Sequence, residues 1–100
     1  MSPAPLSPAE LLRKVFIEAT TSDLADIARA LEQGNQAEAL HHAHRIHGAA
    51  LSMGASAVAS AAGALESELR NGAVGNSHCQ PQLALLAALM QQWVQMQPAP

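Results

Sequence analysis

The sequence predicts an all-α protein, an antiparallel four-helix bundle with a short additional N-terminal helix. Three observations carry this. First, 49% of the 100 residues are hydrophobic yet only 2% are aromatic. The apolar content is therefore mostly alanine and leucine, which favour helix, while the β-branched and ring side chains that build sheets are scarce. Second, apolar residues recur at spacings of three and four along most of the chain, the period of an amphipathic helix. Third, helix-starting and helix-stopping residues punctuate that pattern at regular intervals. A chain of this length is expected to form one domain and to bury about two-thirds of its unfolded surface.

Each element can be justified in turn. Residues 1–7 contain Pro3 and Pro5 and read as a flexible lead-in. Ser7 is a candidate N-cap, with Pro8 at the first helical position and Glu10 placed to complete a capping box. Leu12, Val15, Phe16 and Ala19 then form an apolar stripe. Thr20, Thr21 and Ser22 interrupt it, and Ser22 before Asp23 reads as a second cap. Leu24, Ile27, Ala28 and Leu31 continue the period as far as Gly34. The pattern leaves open a short helix followed by a second one, or a single helix with a bend.

Gly34-Asn35 is a stop followed by a start, because glycine suits the position after a helix and asparagine caps the next. A helix is expected over residues 36–53, ended by Gly54. Ser56 is the expected cap of the following helix, whose Val58, Ala62, Leu65 and Leu69 define a buried seam. Asn71-Gly72 ends it, residues 72–80 (including Cys79) read as a long loop, and Pro81 opens a last helix with Leu83, Leu86, Met90 and Trp93 on one face. Residues 8–96 thus form the folded domain and 97–100 a flexible tail. Short connections make consecutive helices antiparallel neighbours.

Composition excludes several functions. Five Lys+Arg against eight Asp+Glu give a net charge of −3, and Arg13, Lys14, Arg29, Arg45 and Arg70 are scattered. No basic stripe exists to track phosphates, so nucleic acid is not an expected partner. Residues 49–65 are uncharged but rich in Ala, Ser and Gly, and they fall short of the ~20 strongly apolar residues of a membrane span. No positive charge precedes Arg13, so the first residues do not form a signal peptide. One cysteine allows no internal disulfide and suits a reducing compartment. A cytoplasmic monomer without direct membrane contact is expected.

The informative segment is Ala39-Leu40-His41-His42-Ala43-His44-Arg45-Ile46-His47-Gly48-Ala49-Ala50, which holds four of the five histidines. At about 100° per residue, Ala39, Ala43, Ile46 and Ala50 share one face and define the buried side. His44 then points away from it, with Gly48 one turn later and His41 one turn earlier on the same strip. His47 lies between strip and core, and His42 is on the opposite boundary. A mid-helix glycine is unfavourable by about 1 kcal/mol against alanine. Its use here is to clear room beside the His44 imidazole for a bulky group or for a partner. A neutral histidine nitrogen is a competent nucleophile, and the unperturbed imidazole is mostly neutral near neutral pH.

The run from Ala43 to Ala50, with Met53-Gly54-Ala55 and then Leu65-Glu66, resembles the signature of histidine-containing phosphotransfer (HPt) domains, A-H-x-L-K-G-x-x-x-x-x-G-A followed a helix later by L-E. The resemblance covers roughly residues 9–96. It implies that His44 accepts a phosphoryl group, that Gly48 is the small residue beside it, and that His47 stands at the family's lysine position. That exchange keeps a hydrogen-bond donor and gives up a permanent charge. The resemblance further implies a relay in a two-component system. A receiver-domain aspartate gives the phosphoryl group, a response-regulator receiver aspartate takes it, and the receiver supplies Mg²⁺. The domain itself needs no cofactor and has no kinase activity of its own. His41, Arg45, Leu51 and Ser52 are the expected docking residues. A C-terminal module of a hybrid sensor histidine kinase is the expected context, with a free-standing protein as the other.

Other assignments are plainer. Glu66 is expected at the surface or cap side of its helix, His41 and His42 on solvated flanks, and Cys79 as a bystander. The competing reading is a non-catalytic helical interaction module, or a metal site built from His41, His44 and His47, since histidines spaced by three on a helix can share an ion.

Overall fold

The computed structural model of the protein describes residues 4–72 and 76–98. Four helices follow one another: α1 Pro8–Glu32, α2 Gln36–Ser52, α3 Ser56–Arg70 and α4 Asn76–Met96. Each packs on its neighbour in sequence, and α4 closes the ring against α1. Pairings across the interfaces run in opposite directions. The Gln36 side chain donates to the Leu69 carbonyl, while His44 and His47 meet Glu66 further along. The fold is the expected all-α antiparallel four-helix bundle. Among the described residues no helix is long and apolar enough to cross a membrane.

The starts and stops act as their chemistry dictates. Ser7 Oγ accepts from the Glu10 backbone N–H at 3.1 Å, and Asn35 Oδ1 accepts from that of Glu38 at 3.2 Å. The α1–α2 and α2–α3 corners are built alike. Gly34 and Gly54 adopt φ of +67° and +69°, and the next residue's N–H reaches back to close the helix end, Asn35 to the Ala30 carbonyl and Ala55 to that of Ala50. Such φ values suit glycine because it has no Cβ to clash.

The core is thin and mostly aliphatic. Ala39, Ala43, Ile46 and Ala50 of α2 are fully buried, as are Ala62, Leu65 and Leu69 of α3, with Val58 almost so. Small residues on facing surfaces let the α2 and α3 axes approach closely. The two aromatic residues meet each other, Phe16 and Trp93 packing edge to face with centroids 5.1 Å apart.

Five expectations are corrected. The additional N-terminal helix is not separate, because α1 runs unbroken through residues 20–22. Thr21 Oγ1 donates back to the Ile17 carbonyl at 2.7 Å, and Thr20 and Asp23 are buried. Thr21 turns to the helix itself and Asp23 to α2 instead of capping a new start. Leu12 and Val15 are more than half exposed. The buried face of α1 carries Phe16, Thr20, Asp23 and Ile27, and Leu12 lies at its rim, lining an open cavity with Ser52, Met53 and Trp93. Ala55, with no side-chain cap, precedes α3, and Ser56 is its first residue. Pro81 lies inside α4 rather than opening it. Cys79 is therefore helical and fully buried, not in a loop, and burial pushes its thiol pKa up, with Glu68 adding to the effect. Of the expected long loop, residues 73–75 lie outside the described residues, as do residues 1–3 of the lead-in and 99–100 of the tail.

Candidate functional site

The buried alanine stripe of α2 orients everything around it. With Ala43 and Ile46 locked against the core, His44 and His47 leave the helix on the side facing α3. There they meet Glu66, whose side chain is only 6% exposed. His44 Nδ1 donates to Glu66 Oε2 at 2.8 Å, and His47 Nδ1 donates to Oε1 at 2.9 Å. Arg70, one turn further along α3, donates through Nη2 to Oε2 at 2.6 Å. Burial alone would raise the Glu66 pKa. The hydrogen bonds from His44, His47 and Arg70, with the nearby His44 charge, overrule it and hold the carboxyl at about 2. Glu66 is thus an ionised, acceptor-only group clamped between two helices, not the surface residue expected.

The clamp decides what His44 can do. An imidazole that donates from Nδ1 keeps its lone pair on Nε2 in the neutral form. The His44 side chain is 71% exposed, so that nitrogen is on a side open to an approaching group. Gly48 lies on the same outer strip. A Cβ there would meet nothing within 4 Å, the His44 ring included. The glycine therefore relieves no crowding inside the chain, and the room it leaves is on the solvent side.

His47 is half-buried against α3. A Cβ at Gly63 would stand 3.3 Å from both Cε1 and Nε2 of the His47 ring, so the glycine admits the imidazole where the family pattern has a lysine. Gly63, Glu66 and Arg70 all lie on α3, at spacings of three and four, and face α2. The i, i+3 and i, i+4 rule, applied to α3 with Glu66 as its centre, could have found the group.

The Hpt domain model matches residues 11–96. The chain belongs to the Hpt domain family. No curated protein and no solved structure matches the chain. Hpt domains carry phosphoryl groups on histidine in two-component phosphorelays and interact with receiver domains, and the helical bundle agrees with membership.

The remaining candidates of this Hpt domain spread around α2. His41 is exposed and stacks edge-on against His42, centroids 5.2 Å apart. Arg45 is about half exposed, with Nε 3.5 Å from Asp23 Oδ1 on α1. Leu51 is 64% exposed and Ser52 is exposed at the end of α2. Ser52 shares a shallow cavity with Leu12, Met53 and Trp93. His42 is not on a solvated flank: its side chain is 14% exposed and tied to Asp23. His41, His44 and His47 do not converge as a metal site among the described residues, because the last two turn to Glu66 while His41 lies on His42.

Proposed function

We propose that His44 is the phosphoacceptor of this Hpt domain and that it works through Nε2. The observation that carries this is the His44 Nδ1 to Glu66 hydrogen bond, which in the neutral ring leaves the lone pair on Nε2 of a side chain open to solvent. The Nε2 lone pair attacks the phosphorus of a receiver's aspartyl phosphate. An N–P bond forms as the aspartyl O–P bond breaks, and the aspartate leaves as its carboxylate. The imidazolium so formed keeps its Nδ1 proton on Glu66, whose negative charge stabilises it. Transfer to a response-regulator receiver reverses these steps. The divalent ion, Mg²⁺, and the aspartate belong to the receiver, and this chain contributes the oriented nucleophile.

Docking falls to the surface around His44. His41 and Arg45 give it polar contacts, Leu51 and Ser52 extend it along α2, and the exposed Leu11, Leu12 and Val15 of α1 add apolar area. Gly48 admits the phosphoryl group or the receiver's backbone, and Arg70 and His47 supply donors near the shared carboxylate. The module acts in the cytoplasm as a monomer, as the C-terminal part of a hybrid sensor kinase.

Incubation with a phosphorylated receiver tests the site. The domain should acquire an acid-labile, base-stable phosphoryl group at His44, seen by mass analysis of the intact chain and of its peptides. His44→Gln should abolish the transfer. Phosphoryl transfer that persists in His44→Gln overturns the assignment.

A further inference from the structure

On the flank of α2 opposite His44, a second imidazole is held in a setting that phosphotransfer does not use. His42 and Glu38 lie one turn apart on α2, and Asp23 and Asp26 lie about one turn apart on the facing side of α1. His42 Nδ1 donates to Asp23 Oδ1 at 2.8 Å, and the Asp23 side chain is only 7% exposed. In the neutral ring that bond leaves Nε2 with a lone pair and no hydrogen. Yet Nε2 faces two carboxylate oxygens, Glu38 Oε2 at 3.3 Å and Asp26 Oδ2 at 3.8 Å. Carboxylates too are acceptors only, so acceptors are turned on an acceptor and call for a positive charge among them.

The nearby guanidinium groups pair with two of these carboxylates, but on oxygens other than those that face Nε2. Arg29 Nη1 donates to the other oxygen of Asp26, Oδ1, at 3.0 Å. Arg45 Nε lies against Asp23 Oδ1, at the Nδ1 side of the ring. His41 packs edge-on against the His42 ring. Outside, a polar cleft of about 400 Å³, whose lining includes Asn35, Gln33 and Glu38, opens the cluster to solvent.

We propose that His42 Nε2, Asp26 and Glu38 bind a divalent transition-metal ion of the zinc type, with Asp23 orienting the ring from behind. Zinc bonds to nitrogen and oxygen run to about 2.0–2.2 Å in a tetrahedron, which sets neighbouring ligand atoms about 3.3 Å apart. The His42–Glu38 separation already has that value, while Asp26 Oδ2, 3.8 Å from Nε2, must close on both His42 and Glu38 as the ion binds. Asp23, Asp26 and His42 each bring a ligand-type atom within 4.8 Å of one another, and Glu38 stands outside that group, reaching it only through His42 Nε2. A ligating histidine whose other nitrogen donates to a buried carboxylate is the usual outer-shell arrangement of zinc sites. The imidazole favours a zinc-type ion over Mg²⁺ or Ca²⁺, which prefer all-oxygen shells. Water from the cleft completes the coordination. The bound ion joins α1 to α2 on the side away from His44, so it stabilises the bundle and leaves the phosphoacceptor nitrogen open.

Calorimetric titration of the tag-free domain with ZnCl₂ tests this, with thermal unfolding followed in parallel. One ion per chain should bind, and saturating zinc should raise the melting temperature. His42→Ala and Glu38→Gln should each weaken binding at least tenfold, while His41→Ala and His44→Gln should change it by less than about twofold. Glu38 is an exposed side chain, so Glu38→Gln decides the matter even where His42→Ala fails to fold. The proposal is overturned by three results: no saturable binding, which leaves a ring proton as the cation among these oxygens; binding that survives Glu38→Gln; or binding lost with His41 or His44 instead.

Discussion

The two flanks of α2 use the same device to different ends. Facing α3, His44 donates from Nδ1 to the buried Glu66. Facing α1, His42 donates from Nδ1 to the buried Asp23. Both rings are oriented by a carboxylate from the neighbouring helix. They differ in what surrounds Nε2. That of His44 opens to solvent beside Gly48, on a side chain 71% exposed, while that of His42 faces Glu38 and Asp26 on a side chain 14% exposed. A buried carboxylate behind a histidine therefore does not make a nucleophile. It fixes which nitrogen is available, and the free side decides whether that nitrogen meets a phosphorus atom or a cation.

The largest expected effect separates the two rings directly. His44→Gln should reduce phosphoryl acceptance from a receiver by about a thousandfold or more, since the attacking atom is lost. His42→Gln should lower stability and slow transfer by no more than about threefold. Equal losses in the two variants, measured by phosphoryl incorporation at fixed receiver concentration, would erase the distinction drawn between the flanks.

Next in size is Glu66→Gln. An outer carboxylate behind a metal-ligating histidine is commonly worth about 10- to 100-fold, and a slowing of transfer in that range is expected for the same arrangement here, with Asp23→Asn leaving transfer nearly intact. The same variant carries a pH signature. Folding holds the Glu66 carboxyl at about 2 against an ordinary value of 4.5. A depressed pKa adds stability that is fully present above 4.5 and is lost as pH falls from there toward 2. Denaturant unfolding across that window should show wild-type stability falling with acid, and the fall should be shallower in Glu66→Gln.

Smaller effects test the two glycines, which sit on helices yet differ in surroundings. Gly63→Ala should destabilise despite alanine's better helix propensity, or at best gain nothing, because the new Cβ stands 3.3 Å from the His47 ring. Gly48→Ala meets nothing within 4 Å, so it should stabilise the domain by up to about 1 kcal/mol. Phosphotransfer by Gly48→Ala should nonetheless slow if the space beside His44 is needed by the incoming group. A stabilised variant with unchanged transfer rate would remove that role from Gly48.

Helices, corners and the buried alanine stripe of α2 were legible from local pattern alone. Ala39, Ala43, Ile46 and Ala50 share a face because of helical period, and Gly34 and Gly54 end helices because no other residue suits their φ so well. The His44 motif was legible too, since it lies within a few turns of one helix and its spacing is a property of the chain. Less was visible where two helices meet. The threonines of α1 looked like a break, because a hydroxyl that caps a helix and one that bonds back within it are the same residue in a string of letters. Leu12 and Val15 looked buried because amphipathic period says which face is apolar, not how much of it the neighbouring helices cover.

Above all, sequence by itself determined the helical class, the glycine corners around α2 and the histidine that the family motif marks. Only the tertiary structure decided the roles of Glu66, Asp23 and Gly63. Those residues act across an interface, on rings 22, 19 and 16 positions away in the chain. No local period encodes such a distance. A carboxylate's charge state and a histidine's available nitrogen are set by what is buried against them, and that becomes defined only when α1, α2 and α3 pack together.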